Sequence, residues 1–386
     1  MCCFLDYWRL LIIESLSYLL NLLISEIKMK NIIVFTISIM LSLNVNAATF
    51  CVTDSAELQT ALTSAGNNGQ NDLIKISIGT YISLFDGFKF QESNDLNIEI
   101  TGGWTPFLGS LCSFQIAPSP FDTIIDGNNL SRALDVRPND NSDVIIKYLT
   151  FMNGINGTGT RGAGLKVAGF TGYVGNVTIE SNAFLNNNAP LSSALDASAN
   201  KLTVINNLFD NNHASVFTAV SLLSNNGLGV YFINNTVINN TLGSTGVGDS
   251  SGLAAVVSGT SSLYVANNIF YNNETHGIKL SGDGYRYLFN NNIVDTIPAV
   301  DEDSGNFSTI PEFETGALNY TPALNSPLID AGIHLPENFP FPIPFKYNWN
   351  LTNIDINGAD RVQVNKVDIG AYESPPDVSI FINGFE

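Results

Sequence analysis

Apolar and polar residues alternate in short bursts between residues 144 and 296, and each burst ends on the same punctuation. One copy reads Val177-Thr-Ile-Glu-Ser-Asn182-Ala-Phe184-Leu-Asn186-Asn187, and others start at Leu202, Val230 and Leu263. A frayed copy starts at Tyr287, and an earlier one, Val144 to Asn153, has Leu149 where the Asn should be. Alternation over so few residues predicts a strand with one buried face. The Asn then breaks the alternation, and Phe184, Phe209, Val237, Phe270 or Val294 restarts it. The column Asn182, Asn207, Asn235, Asn268, Asn292 steps by 25, 28, 33 and 24 residues. A period of this length without helical spacing predicts a β-solenoid. Asn tolerates the left-handed backbone of a tight corner, and stacked corners about 4.8 Å apart let the amides form a ladder.

Partner strands fall between the copies at Gly164–Val167, Ser193–Asp196, Thr218–Leu222, Leu253–Val257 and Gly277–Leu280, giving about three strands per coil. The longer steps place extra loop in some coils, notably Thr241–Gly252, and loops on one face are where solenoids carry specificity. Upstream, Asp54-Ser-Ala-Glu57 has the form of a capping box, followed at helical spacing by Leu58, Ala61, Leu62 and Ala65. A helix there would cover the open first coil, with Leu73–Tyr81 as the first strand and Leu96–Trp104 as the second. Beyond Ile297 the period dissolves, and four prolines between Pro336 and Pro344 exclude a central strand. The organisation expected is a leader (1–47), an N-terminal cap with first coils (48–130), a body with Asn ladders (131–297), a C-terminal cap closing the last coil (298–373) and a tail (374–386).

Charged residues make up 13% of the 386, and the net charge is −19. Residues 1–47 hold three basic and three acidic groups, so their removal leaves the charge unchanged. Such a surface excludes nucleic-acid binding and disfavours anionic membranes and acidic polysaccharides, unless cations bridge them. Met29 to Ala47 combines a Lys, an apolar run and a Val-x-Ala exit, the build of a cleavable export signal. Residues 1–28 add a second apolar stretch, read as an upstream start before the true Met29 or as a membrane hairpin. Cys51 and Cys112 then remain, and in an exported chain they are expected to pair; two buried thiols are the alternative.

Cys51-Val52, Ile76 to Tyr81, Gly102-Gly103-Trp104, Cys112 and Ile125-Asp126-Gly127 resemble the opening of secreted bacterial right-handed parallel β-helix repeat proteins. Ser326 to Gly332, Asp355 to Arg361 and Val367 to Glu373 are similar to a choice-of-anchor Q region. The resemblance covers most of residues 50–373 and implies a pectin-lyase-like fold with a secreted or cell-surface address. It implies no activity, because that fold hosts many chemistries. The fold class expected is thus all-β: a right-handed parallel β-helix with a short N-terminal helical cap and an irregular C-terminal cap.

Candidate chemistry is sparse. Thr275 to Leu280 resembles the His-Gly strand of polygalacturonase-type enzymes, but the carboxylate motifs a hydrolase needs do not accompany it. A lyase would need a base and a cation, and His276, Lys279, Asp283 and Arg286 are the nearest candidates, although the 13 basic residues after Ala47 read as scattered. Asp330, Asp355, Asp360, Asp368 and Glu373 offer oxygens for a metal such as Ca²⁺ with Arg361 balancing them. A turn and ion-pair network explains them better. No cofactor is required. The expectation is a monomeric, non-enzymatic, exported protein that presents a rigid face to carbohydrate or to a cell-surface partner. A polysaccharide lyase or glycoside hydrolase is the alternative. Membrane contact is expected only through the leader or a sorting tail.

Overall fold

A computed structural model describes residues 47–84, 86–106, 112–116, 118–157, 161–168, 173–243, 250–333, 353–363 and 366–375. The leader, the tip of the loop between Thr241 and Gly252, the Pro336–Pro344 stretch and the tail beyond Pro375 lie outside them. The chain is a right-handed parallel β-helix. Three long sheets of ten, seven and eight strands, all parallel, run along it, with a minor fourth sheet of three.

One coil shows the construction. Asn176–Glu180 lies in sheet 1, Ala183–Leu185 in sheet 3 and Ser192–Ser198 in sheet 2, before Lys201–Ile205 returns to sheet 1 one rung up. Register keeps like over like: Val177 on Leu202 on Val230 on Leu263, and Phe184 on Phe209. The inward phenylalanines Phe151, Phe184 and Phe209 stack with centroids 5.3 and 4.7 Å apart. Such stacking adds about 0.5–1.5 kcal/mol per pair beyond the burial itself.

Each corner flanking sheet 3 uses two residues with different tasks. The left-handed residue is the one before the ladder Asn: Ser181, Asn206, Asn234, Asn267 and Asn290 all have φ between 49° and 62°. The following Asn points inward and is fully buried. Asn182 donates from both its backbone N (2.9 Å) and Nδ2 (3.2 Å) to Asn207 Oδ1, and the pattern repeats through Asn235 and Asn268. The column then continues through Asn291 and Asn306, which corrects its assignment to Asn292. Tyr285–Phe289 pairs residue for residue with Ser262–Ala266, which sets Asn291 over Asn268, and Asn292 instead exchanges bonds with the Thr309 backbone. Leu149 starts the ladder by donating its backbone N to Asn182 Oδ1.

The first strand is Ala48–Val52, ahead of the one expected at Leu73; it pairs with Asp72–Ile76. Helix α1 (Ser55–Ala65) follows, its N-cap Asp54 accepting from Glu57 N while Glu57 reaches back to Thr53 N. Leu58, Ala61, Leu62 and Ala65 are buried against Val52, Ile74, Ile76 and Tyr81, so α1 closes the core end that would otherwise meet water. Cys51 and Cys112 form a disulfide. At the far end, Glu302–Ser304 adds the last strand of sheet 1. The rest of the C-terminal region runs back along the flank: Ile356, Ala371 and Tyr372 pack on Ala183, Leu185, Leu208 and Ile238 outside sheet 3.

Candidate ligand-binding face

The outer surfaces of the three sheets are not equivalent. That of sheet 3 is occupied by the C-terminal region. On sheet 1, Tyr231, Tyr264 and Tyr287 stand in register and stack at 4.7 and 4.9 Å, so their ring faces meet each other. Sheet 2 is different. Beyond its strand Phe88–Gln91, its inward row is Leu134, Leu165, Leu195, Val220, Leu253 and Ile278, and the next residue of each strand faces out. That outward row is Asp135, Lys166, Asp196, Ser221, Ala254 and Lys279, one rung (about 4.8 Å) apart.

Arginines gather around it. Arg132 Nη1 and Arg137 Nη2 both reach Asp135 Oδ2, at 2.7 and 2.8 Å. Arg132 also donates to the carbonyls of Gly162 and Arg161. Arg161 lies 3.6 Å from Asp196, donates to Ser221 Oγ and sits over the Phe217 ring at 5.6 Å. Lys166 stands between the two carboxylates in register and makes no ion pair among the described residues. Arg137 and Arg161 keep 46% and 45% of their side chains exposed, whereas Asp135 keeps 2% and only braces the guanidinium groups. Burial pulls the Arg132 guanidinium below its ordinary value; the Asp135 hydrogen bond lifts that of Arg137. The cluster of Arg132, Arg137, Arg161 and Lys166 against Asp135 and Asp196 has a local excess of two positive charges on a chain of net −19. Four of the basic residues, expected to be scattered, are therefore gathered here. The period-2 alternation makes each charge the outward neighbour of an inward apolar residue, and aligning the partner strands on those inward residues would have revealed the column.

The other candidates separate. His276 pairs with Asp295 (Nδ1 to Oδ2, 3.1 Å), Asp283 accepts from Gly259 N, and Arg286 holds Asp301 from sheet 1 while Lys279 sits in sheet 2. The four do not converge. In the C-terminal region, Asp355 accepts from the backbone N of Asn357, Ala359 and Glu373, and Asp368 from Asp330 N and Ser374 N. Asp330 pairs with Lys366, and Asp360 is exposed. Among the described residues no group of three or more acidic, His or Cys side chains is arranged for a metal. Arg361 is fully buried, bonded to Glu373, Gly370 O, Ala371 O and Asn206 Oδ1, and fastens this region to the flank. Burial raises Glu373 to about 8 despite that arginine.

No protein-family model and no curated protein matches this chain. Among the described residues no helix is long and apolar enough to cross a membrane. The disulfide is compatible with an extracellular address.

Proposed function

We propose that this protein is an exported, non-enzymatic β-helix of the pectin-lyase-like type, with a choice-of-anchor Q-like C-terminal region, that binds an acidic glycan along sheet 2. The observation that carries this reading is the braced row of Arg132, Arg137, Arg161 and Lys166 beside Phe217. Guanidinium groups match carboxylates and sulfates in bidentate fashion, and rungs fixed by the sheet spare the entropy of ordering them on binding. Phe217 adds an aromatic surface for a sugar's C–H face. Cleavage is disfavoured because Asp135 is buried beneath two arginines and Asp196 is engaged by Arg161 and Ser192. A lyase is the second reading, in which the same guanidinium groups would neutralise a substrate carboxylate.

An array of uronate-bearing, sulfated and neutral glycans, scored for binding and for reducing ends or unsaturated products, tests both readings. The expected result is salt-sensitive binding to acidic glycans without products, weakened at least tenfold in the Arg161→Ala, Lys166→Ala double variant. Equal binding of neutral glycans, or binding untouched by the double variant, would refute the glycan-binding reading. Unsaturated products lost in Arg132→Ala would establish the lyase.

A further inference from the structure

Asp72 and Glu92 are the two least compensated charges among the described residues. Asp72 opens the strand Asp72–Ser77 and shares its inward row with Ile74 and Ile76; it is 4% exposed. Glu92 follows the strand Phe88–Gln91 on the inward row of Phe88 and Phe90, and is 2% exposed. The end of α1 holds them at one corner of the first coil. Gly66 presses on the Gln91 carbonyl so closely that a Cβ would lie 2.2 Å from it, and Ser93 Oγ donates to Gly66 O.

One oxygen of each carboxylate is committed. Glu92 Oε1 accepts from Ser93 N and Asn94 N at 2.9 and 2.7 Å, and Asp72 Oδ1 accepts from Asn68 Nδ2 at 2.7 Å. Glu92 Oε2 and Asp72 Oδ2 are buried without any partner, and no ion pair among the described residues involves either side chain. We infer that the unpartnered oxygens of Asp72 and Glu92 hold a hard divalent cation of the Ca²⁺ class at the junction of the N-terminal helix and the first coil. Burying two carboxylates without a counter-charge is strongly unfavourable, so a cation or a proton must compensate them. The three N–H donors orient both groups as acceptors, which suits a cation. Ca²⁺ takes irregular sets of carboxylate, carbonyl and water oxygens, whereas Mg²⁺ keeps a strict octahedron and most of its water. Burial raises both carboxyls above their ordinary values, and the charge of Asp72 lifts Glu92 further, the repulsion a bound cation would relieve.

The test uses the mature chain stripped with chelator. Titration calorimetry with CaCl2 should show one ion bound, and melting with CaCl2 should run several degrees above melting in EDTA. Asp72→Asn and Glu92→Gln should each weaken binding at least tenfold. In EDTA both variants should melt no lower than the wild type, because each removes an uncompensated charge; a merely structural carboxylate would give the opposite. Wild type that binds no Ca²⁺, or an ion whose affinity is unchanged in both variants, would overturn the assignment. Overturning it equally would be a wild type in EDTA that is stabilised by acid while CaCl2 changes nothing, since a shared proton then fills the role.

Discussion

Replacing Asn235 tests the interior ladder most directly. Its Oδ1 accepts from the backbone N and Nδ2 of Asn207, while its Nδ2 donates to Val204 O, Ile233 O and Asn268 Oδ1. In Asn235→Ala, Asn207 Nδ2 retains Ile179 O and Ile205 O, and Ile233 O retains Asn206 N. The Asn207 backbone N–H keeps no partner. At about 1–3 kcal/mol for a stranded buried group, plus about 1 kcal/mol for the bonds that are only thinned, the cost comes to about 2–4 kcal/mol. Asn235→Asp should be worse than Ala: it keeps the acceptor but turns an anion towards Val204 O, Ile233 O and Asn268 Oδ1. Asn292→Ala loses only the exchange with Thr309 outside the column, about 1–2 kcal/mol. Urea midpoints of the disulfide-intact chain, read by tryptophan fluorescence and far-ultraviolet dichroism, would rank the three. A midpoint for Asn235→Asp at or above that of Asn235→Ala, or no difference between Asn235→Ala and Asn292→Ala, would refute the ladder's energetic role.

Reduction of Cys51–Cys112, which lie 61 residues apart, should cost about 4 kcal/mol by chain entropy; a urea midpoint unchanged by reductant would contradict this. Glu373 should make stability fall with rising pH. Its folded-state value of about 8 exceeds its ordinary 4.5, so its contribution is whole below about pH 4.5 and lost as pH passes through 8. Glu373→Gln should flatten the melting temperature across that window, and an unchanged slope would assign the pH dependence elsewhere. His276→Ala and Asp283→Ala should leave glycan binding as it is, because neither residue belongs to the sheet 2 cluster; a loss in either would move the site to the last coil.

The coil was legible from sequence because its causes are local. Period-2 alternation, an Asn at each corner and a capped helix ahead of the first coil act over a few residues, and apart from the strand Ala48–Val52 and the Asn292 end of the column, the strands, the ladder and the lid formed where those signals stood. The second ladder, Asn187 to Asn212 to Asn240 to Asn273, was in the same copies but unread, since its neighbours Asn186, Asn211, Asn239 and Asn272 masked which amide turns inward. What tertiary structure alone decided is what stands beside what across coils. Arg161 meets Ser221 60 residues on because stacking converts one turn of chain into one step of about 4.8 Å whatever the loop lengths between, and Arg361 meets Asn206 across 155 because the C-terminal region runs back along the flank. The same rule carries the ladder from Asn268 to Asn291 rather than Asn292: backbone pairing sets the rung, and the residue that reaches the corner on that rung takes the place in the column.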